Sequence, residues 1–174
     1  PCPEIGKDFE SIFDETVILN TLDNGKYEKI HQSIIDVLDT AKYVHITGRN
    51  GNKTNLTVAL SDLTDPKTQT LFENCCADVN VPVGEVFTSP KLKGTNGILH
   101  VSEIYLRGWK FVDLLLKIEN GMIAEYSCQN FSTQKENNEY INEHLLYDNK
   151  TLPMGEFAIG TNTTAYVIGK KHDI

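Results

Sequence analysis

The spacing of apolar residues changes once along this chain, near residue 42, and this change limits the folds that the chain can adopt. Before it, apolar residues recur every three or four positions over about residues 4–20 and 26–41, which predicts two helices. After it, apolar and polar residues alternate over 43–47 and 54–60, with turn residues between them. Strands joined by such tight turns must pair antiparallel. The order of these segments predicts an α+β fold.

The rest of the chain extends this pattern. Asp-Pro opens segment 65–76, which predicts a short helix or helical turn. Further strands are predicted over 98–106, 111–118, 122–128, 155–159 and 165–168, with a helix over 131–147. We therefore expect N-terminal helices followed by a mixed, mainly antiparallel sheet that tends towards a partly open barrel, with a helix packed on it. The predicted division is a helical segment, 1–42, and an α+β domain, 43–174.

The second predicted helix has a clear apolar stripe. Tyr27, Ile30, Ile34, Val37 and Leu38 fall at helical spacing, which predicts that they face the protein interior. His31 lies beside this stripe, and we expect it to be a partly exposed surface residue.

The charge balance limits the partners of the chain. Lys and Arg number 16 and Asp and Glu number 24, which gives a formal net charge of −8. Nucleic acids and anionic membranes are bound through clustered basic residues, so we expect neither as a partner. Tyr105, Arg107, Trp109 and Lys110 could stack on a base or a sugar, but a packed Trp at a hairpin turn agrees better with the acidic charge.

The N-terminus and the cysteines bear on the cellular compartment. Residues 1–6 lack the basic start and apolar run of a secretion signal, and no window approaches the ~18 apolar residues of a membrane span. Cys2, Cys75, Cys76 and Cys128 do not have the spacing of zinc ligands, so they are interpreted as reduced thiols. We therefore expect a cytoplasmic protein.

Two acidic residues occupy the same position in a short pattern that occurs twice. Residues 82–87 and 153–158 both read Pro, apolar, Gly, Glu, apolar, apolar, which places Glu85 and Glu156 in apolar surroundings. A buried carboxylate is costly unless it is paired, hydrogen-bonded or bound to a metal. One interpretation is that both acids converge on divalent cations. The other is that each is structural and pairs with a nearby Lys or with backbone amides.

The segment that contains Glu85 resembles a family motif. Residues 80–90 resemble the Asn-(Ile/Leu)-Pro-x-x-Glu-(Val/Ile)-(Phe/Tyr)-Thr-(Ala/Ser)-Pro segment of the thermophilic metalloprotease family, the group of aminopeptidases T, S and II. Further segments resemble that family in the same order: 54–58, 94–97, 120–123 and 152–162. The last of them resembles Leu-Gly-Glu-(Phe/Val)-(Ala/Gly)-(Ile/Leu)-Gly-x-Asn and ends at Asn162. Together the resemblance covers about residues 43–162.

The resemblance implies two metal ligands in this chain. Glu85 matches the first metal-binding Glu of the family and Glu156 matches the second. The other family ligands, a His, a Tyr and a His-x-Asp, have no match. His172 and Asp173 are adjacent and follow Glu156 too closely, so we reject them as that motif. The domain 43–174 would then be a catalytic-type domain truncated before the remaining ligands, with no confidently assigned catalytic residue.

The resemblance also implies a function. It implies a segment of a two-metal aminopeptidase that hydrolyses N-terminal residues from peptides, with zinc, cobalt or manganese ions and a homodimeric assembly. We expect the isolated segment to bind metal weakly and to be inactive or nearly so. The alternative is a non-catalytic α+β interaction or assembly domain in which Glu85 and Glu156 are structural.

Overall fold

A computed structural model describes residues 9–21, 23–65, 67–76 and 83–172 of the chain. Four predicted features lie outside these residues: the start of the first helix, Cys2, the first three motif residues 80–82, and Asp173. The helices are α1 (Phe9–Leu19), α2 (Asn24–Leu38), α3 (Gln134–Ile141) and α4 (Thr163–His172), and a π-helical turn, Asn142–Leu146, continues α3. The strands are β1 (Tyr43–Thr47), β2 (Asn55–Ala59), β3 (Glu73–Cys75), β4 (Glu85–Thr88), β5 (Lys91–Leu106), β6 (Trp109–Glu119), β7 (Met122–Ser127) and β8 (Phe157–Gly160).

The chain forms two compact units. The first consists of Pro1–Ala41, Leu63–Thr88 and Glu156–Ile174, and the second of Lys42–Asp62 and Ser89–Gly155. The division of the chain at residue 42 into a helical segment and a catalytic-type domain stays a prediction.

The second unit contains a five-stranded antiparallel sheet with the strand order β1-β2-β5-β6-β7. Asn120 and Gly121 join β6 to β7 with φ values of 48° and 74°, the left-handed conformations that a tight hairpin turn requires. Leu56, Val58 and Phe111 are almost completely buried. Leu56 and Val58 stand at alternate positions of β2, so they lie on the same face of the sheet.

Gly97 lies at a very close approach between β5 and β2. It is paired with Leu56 and has a φ of +136°, which L side chains rarely adopt. A Cβ atom at this position would lie 2.2 Å from the carbonyl oxygen of Asn55 and 2.8 Å from the Cα of Leu56. Both neighbours are backbone atoms, so the pairing of β2 with β5 depends on the absence of a side chain at residue 97.

The first unit contains a three-stranded antiparallel sheet with the order β3-β4-β8. Helix α2 packs against β3 and β4, and its first turn is capped by Asp23, whose carboxylate accepts the backbone N–H of Lys26. Phe72 and Phe157 are buried and meet edge to face, with ring centroids 6.3 Å apart. This packing fixes one face of the sheet that contains Glu85 and that Glu156 directly precedes.

These observations confirm the predicted α+β class with mainly antiparallel strands, and in the described residues neither sheet closes into a barrel. Of the short helix or helical turn predicted over 65–76, the turn is present and the helix is wrong. A single turn closes at Asp65, where the N–H groups of Thr68 and Gln69 reach its carbonyl, and Glu73–Cys75 then pairs with β4. Tertiary pairing overrides the helix-start signal there.

The strand predicted over 165–168 is also wrong, because these residues belong to α4. The Asn162 side chain accepts the N–H of Ala165 at 3.1 Å and caps the start of this helix. A short apolar run does not distinguish a strand from a helix. At residues 165–168 the cap by Asn162 favours the helix. No helix in the described part of the chain combines the length and the apolar character that a membrane span requires.

Charged side chains join α1 to α4 in the first unit. The Glu15 carboxylate accepts hydrogen bonds from the Lys171 ammonium and the His172 ring. These hydrogen bonds, from Lys171 first and His172 second, lower the pKa of Glu15 below its ordinary value of 4.5.

The lowered pKa of Glu15 predicts a pH dependence of stability. A carboxyl with a lower pKa in the folded state contributes stability above its unfolded pKa and loses it as the pH falls through the folded pKa. The free energy of unfolding of Glu15→Gln should therefore be lower than that of the wild type at pH 7, and the difference should shrink below about pH 4.5. Denaturant unfolding between pH 7 and pH 3 measures it. Glu10→Gln, an exposed change on the same helix, is the control, and a difference that stays constant with pH would contradict the prediction.

Candidate functional site

The two acids that the sequence singled out lie on neighbouring segments of the three-stranded sheet. Glu85 is the first residue of β4 and is paired with Gly160 in β8, whereas Thr88 at the other end of β4 is paired with Phe157. Glu156 directly precedes Phe157. The repeated Pro-x-Gly-Glu pattern thus marks the starts of two strands that pair antiparallel. The acids stand at opposite ends of that pair. Glu156 lies four residues before Gly160, which corresponds to about 14 Å along the strand at ~3.4 Å per residue.

One face of this sheet is open next to Glu85. The alternate residues Val86 and Thr88 are buried, whereas Glu85 is half-buried and Glu156 is exposed. A Cβ atom built on Gly160, the residue opposite Glu85, would meet no other atom within 4 Å. The Gly160 position beside Glu85 therefore faces unfilled space.

The chemistry and spacing of the two acids suit a pair of divalent ions. Carboxylate oxygens bind zinc-type ions at about 2.0–2.2 Å, and paired ions lie about 3.5–4 Å apart. Such a pair spans about 8 Å between two carboxylate oxygens. Two Glu side chains that each reach ~5 Å from the Cα could hold such an ion pair between strand positions about 14 Å apart. The donor set therefore fits as two ligands of a metal centre.

The described residues do not complete that centre. Among residues 9–21, 23–65, 67–76 and 83–172, no group of three or more His, Cys, Asp or Glu side chains could hold a metal ion. Glu156 also makes no ion pair with another described residue, so its charge is not neutralised by a lysine of this part of the chain. The metal centre would need ligands in addition to Glu85 and Glu156.

A buried histidine near Glu85 was missed from the sequence. His31 was expected at the surface, but it is completely buried and lies on the same face of α2 as Ile35. Ile30 and Val37, which were expected inside, are 41% and 68% exposed. The helix is thus rotated by about one residue from the predicted orientation. His31 and Ile35 are four residues apart, as expected for two residues on the buried face of a helix. Histidine is less often buried than apolar residues, so its sequence position did not indicate that it belongs to this face.

Both ring nitrogens of His31 have polar neighbours in the first unit. Nε2 lies 2.6 Å from the Thr161 hydroxyl oxygen, and Nδ1 lies 3.0 Å from the Asn74 side-chain oxygen. The Cys76 sulfur lies 3.6 Å from Nδ1. Burial, and secondarily the charge of Glu28, raises the pKa of the Cys76 thiol, which favours the neutral form.

The aromatic and basic residues of the β5–β6 hairpin are packed against one another in the second unit. The Trp109 ring stacks on the His144 ring with centroids 3.8 Å apart and an angle of 14°, although 47% of Trp109 remains exposed. The Lys110 ammonium pairs with Glu103 at 2.8 Å, and this hydrogen bond raises the pKa of Lys110. These contacts account for the cluster by local packing.

Comparisons with known proteins find a family and solved structures that this chain resembles. The sequence profile of the thermophilic metalloproteases (M29) matches residues 24–169. Among solved structures, wild-type AmpT from Thermus thermophilus aligns with a TM-score of 0.49 and 20% sequence identity. That alignment covers 78% of this chain and 34% of the AmpT chain, so this chain spans about a third of the length of AmpT. A search of curated proteins returned no match.

Proposed function

Because this chain belongs to the thermophilic metalloprotease family, which matches more than half of its length, we propose that it is a segment of a two-metal aminopeptidase. The full-length protein would hydrolyse N-terminal residues from peptides. The single observation that supports this proposal most directly is the pairing of β4 with β8, which brings the Glu85 and Glu156 segments onto neighbouring strands.

Glu85 and Glu156 would hold the metal ions from opposite ends of the strand pair. Divalent ions held there would supply a Lewis acid for the scissile carbonyl and a water of lowered pKa. Glu85 is half-buried at the start of a paired strand, so its backbone position is fixed. Glu156 is exposed and lies just outside β8, so its side chain can adjust to an ion. The described residues contain no group of three or more His, Cys, Asp or Glu that could hold a metal ion. The 174-residue chain alone would therefore bind metal weakly and hydrolyse peptides poorly.

The proposal extends to the metal ions, the substrates, the assembly and the location of the protein. We propose zinc, cobalt or manganese as the ions, peptides as the substrates, a homodimeric assembly and a cytoplasmic location. The net charge of −8 supports the further proposal that nucleic acid is not a partner.

The proposal predicts metal-dependent hydrolysis by the full-length protein. Release of p-nitroaniline from leucine p-nitroanilide should stop after treatment with a chelator and return when zinc, cobalt or manganese is added. The 174-residue chain at the same concentration should give at most about a hundredth of that rate, because a divalent ion with two protein ligands is held weakly.

Two outcomes would contradict this prediction. Rapid, chelator-sensitive cleavage by the 174-residue chain would show that its own residues complete the metal centre. A full-length protein that binds no metal and cleaves no aminoacyl substrate would favour the non-catalytic interaction or assembly domain, with both acids structural.

A further inference from the structure

The loop that precedes Glu85 is held by the two residues that follow β8. The backbone N–H and the hydroxyl of Thr161 both donate to the carbonyl oxygen of Gly84, at 2.9 and 3.0 Å. The side-chain amide of Asn162 donates to the carbonyl oxygen of Val83 at 3.0 Å. Both carbonyl groups immediately before Glu85 are therefore fixed by residues of the partner strand segment.

The conformation of Gly84 gives these contacts a consequence for Glu85. Gly84 has a φ of +99°, a left-handed conformation that L side chains rarely adopt. The direction in which the chain enters β4, and with it the direction of the Glu85 side chain, depends on this turn. Hydrogen bonds to the Gly84 carbonyl therefore restrict where the Glu85 carboxylate can lie.

His31 connects this turn to helix α2. Its Nε2 atom lies 2.6 Å from the Thr161 hydroxyl, the same hydroxyl that donates to Gly84. Asn74 lies 3.0 Å from the other ring nitrogen and is itself held by a hydrogen bond from its amide to the carbonyl of Glu28 at 2.9 Å. The imidazole is 0% exposed and has a neighbour at each nitrogen, so it cannot rotate without losing a hydrogen bond.

We propose that His31 and Thr161 are positioning residues for the metal ligand Glu85. His31 holds the Thr161 hydroxyl, Thr161 holds the Gly84 carbonyl, and the Gly84 turn sets the position of Glu85. The inference rests on the proposed function, in which Glu85 binds a divalent ion. Burying an imidazole costs free energy that an apolar residue would avoid, so His31 defines a geometry rather than adding core stability.

Cobalt binding to the full-length protein tests this inference. Residues that orient a metal ligand from outside typically change metal affinity by 10–100-fold when mutated. Thr161→Val keeps the shape but loses the hydroxyl, so we expect a roughly tenfold higher dissociation constant for Co²⁺ and a changed visible absorption band. Thr161→Ser keeps the hydroxyl and should retain both properties.

A pair of substitutions at residue 31 gives an independent measurement. The Gln side-chain amide can take the place of Nε2 and donate to Thr161, whereas the shorter Asn amide reaches only the Nδ1 position. His31→Gln should therefore bind Co²⁺ nearly as the wild type does, and His31→Asn should show the weaker binding of Thr161→Val. This pair keeps the inference testable if Thr161→Val does not fold.

A matched variant in the second unit separates positioning from stability. The hydroxyl of Thr54 is buried, whereas Thr161 is half-buried, and the Thr54 hydroxyl likewise donates to a backbone carbonyl, that of His100, at 3.1 Å. Thr54→Val should lower the melting temperature about as much as Thr161→Val does, yet leave the Co²⁺ dissociation constant and spectrum unchanged.

The results distinguish the inference from the proposed function. The inference is overturned if Glu85→Gln weakens Co²⁺ binding in the same assay but both Thr161→Val and His31→Asn keep the affinity and the spectrum of the wild type. If Glu85→Gln binds Co²⁺ as the wild type does, the proposed function fails, and the inference fails with it.

Discussion

In the full-length protein, Glu85→Gln is expected to lower kcat/KM for an aminoacyl substrate by about a thousandfold. A metal ion supplies several kcal/mol of transition-state stabilisation, and each ~1.4 kcal/mol corresponds to a factor of ten. A neutral amide is a poor ligand for a divalent ion, so the variant should also purify with less metal. Steady-state kinetics at saturating Co²⁺, together with metal content measured by mass spectrometry, would test both effects.

Glu73→Gln is the matched control for this experiment. Glu73 is exposed in β3 and is paired with Phe87 of β4, so it lies in the same sheet and carries the same charge. It is not part of the repeated Pro-x-Gly-Glu pattern, and its replacement should leave activity and metal content unchanged. Full activity and normal metal content in Glu85→Gln would contradict the assignment of Glu85 as a ligand.

The second large effect is expected for Gly97→Ala, which should lower the free energy of unfolding by more than about 3 kcal/mol. The new Cβ would lie 2.2 Å from the Asn55 carbonyl oxygen, so β2 and β5 must move apart or the backbone at residue 97 must change its conformation. The φ of +136° adds strain that an alanine does not tolerate. Urea denaturation of the chain, followed by circular dichroism, measures the loss.

Gly51→Ala separates steric overlap from conformational strain. Gly51 also has a positive φ, +86°, but a Cβ there would meet nothing within 4 Å. This variant should lose only about 1 kcal/mol. Equal losses in the two variants would mean that backbone strain, and not the close approach of β2 and β5, explains the effect.

The sequence predicted the second unit better than the first. The alternation over 43–47 and 54–60 and the tight turn at Asn120-Gly121 specify antiparallel neighbours from local information alone, and the structure has these hairpins. The face of α2 is decided by contacts with β3 and β4, which are distant in sequence. The helical spacing of apolar residues is compatible with two orientations of α2 that differ by a rotation of one residue. The burial of His31 distinguishes them, and hydrophobicity does not predict that burial.

The assignment of Glu85 and Glu156 as metal ligands stays a prediction. The repeated Pro-x-Gly-Glu pattern singled out both residues, and the structure adds that their segments pair through β4 and β8. Asn162, which holds the loop before Glu85, lies in the family motif. Thr161 and His31 gave no comparable signal, because each contributes a hydrogen bond whose partner is distant along the chain.

The register of β4 and β8 sets the separation of the backbone positions of Glu85 and Glu156, and it can change only in steps of one residue. Deleting one residue from either strand would shorten that separation by ~3.4 Å and would turn the following side chains to the opposite face of the sheet. Any change in the length of these strands therefore changes the separation of the two acids by at least one whole residue. Related proteins that keep both acids should vary in the connections between β4 and β8, where insertions leave the register unchanged, and should conserve the number of residues within the strands themselves.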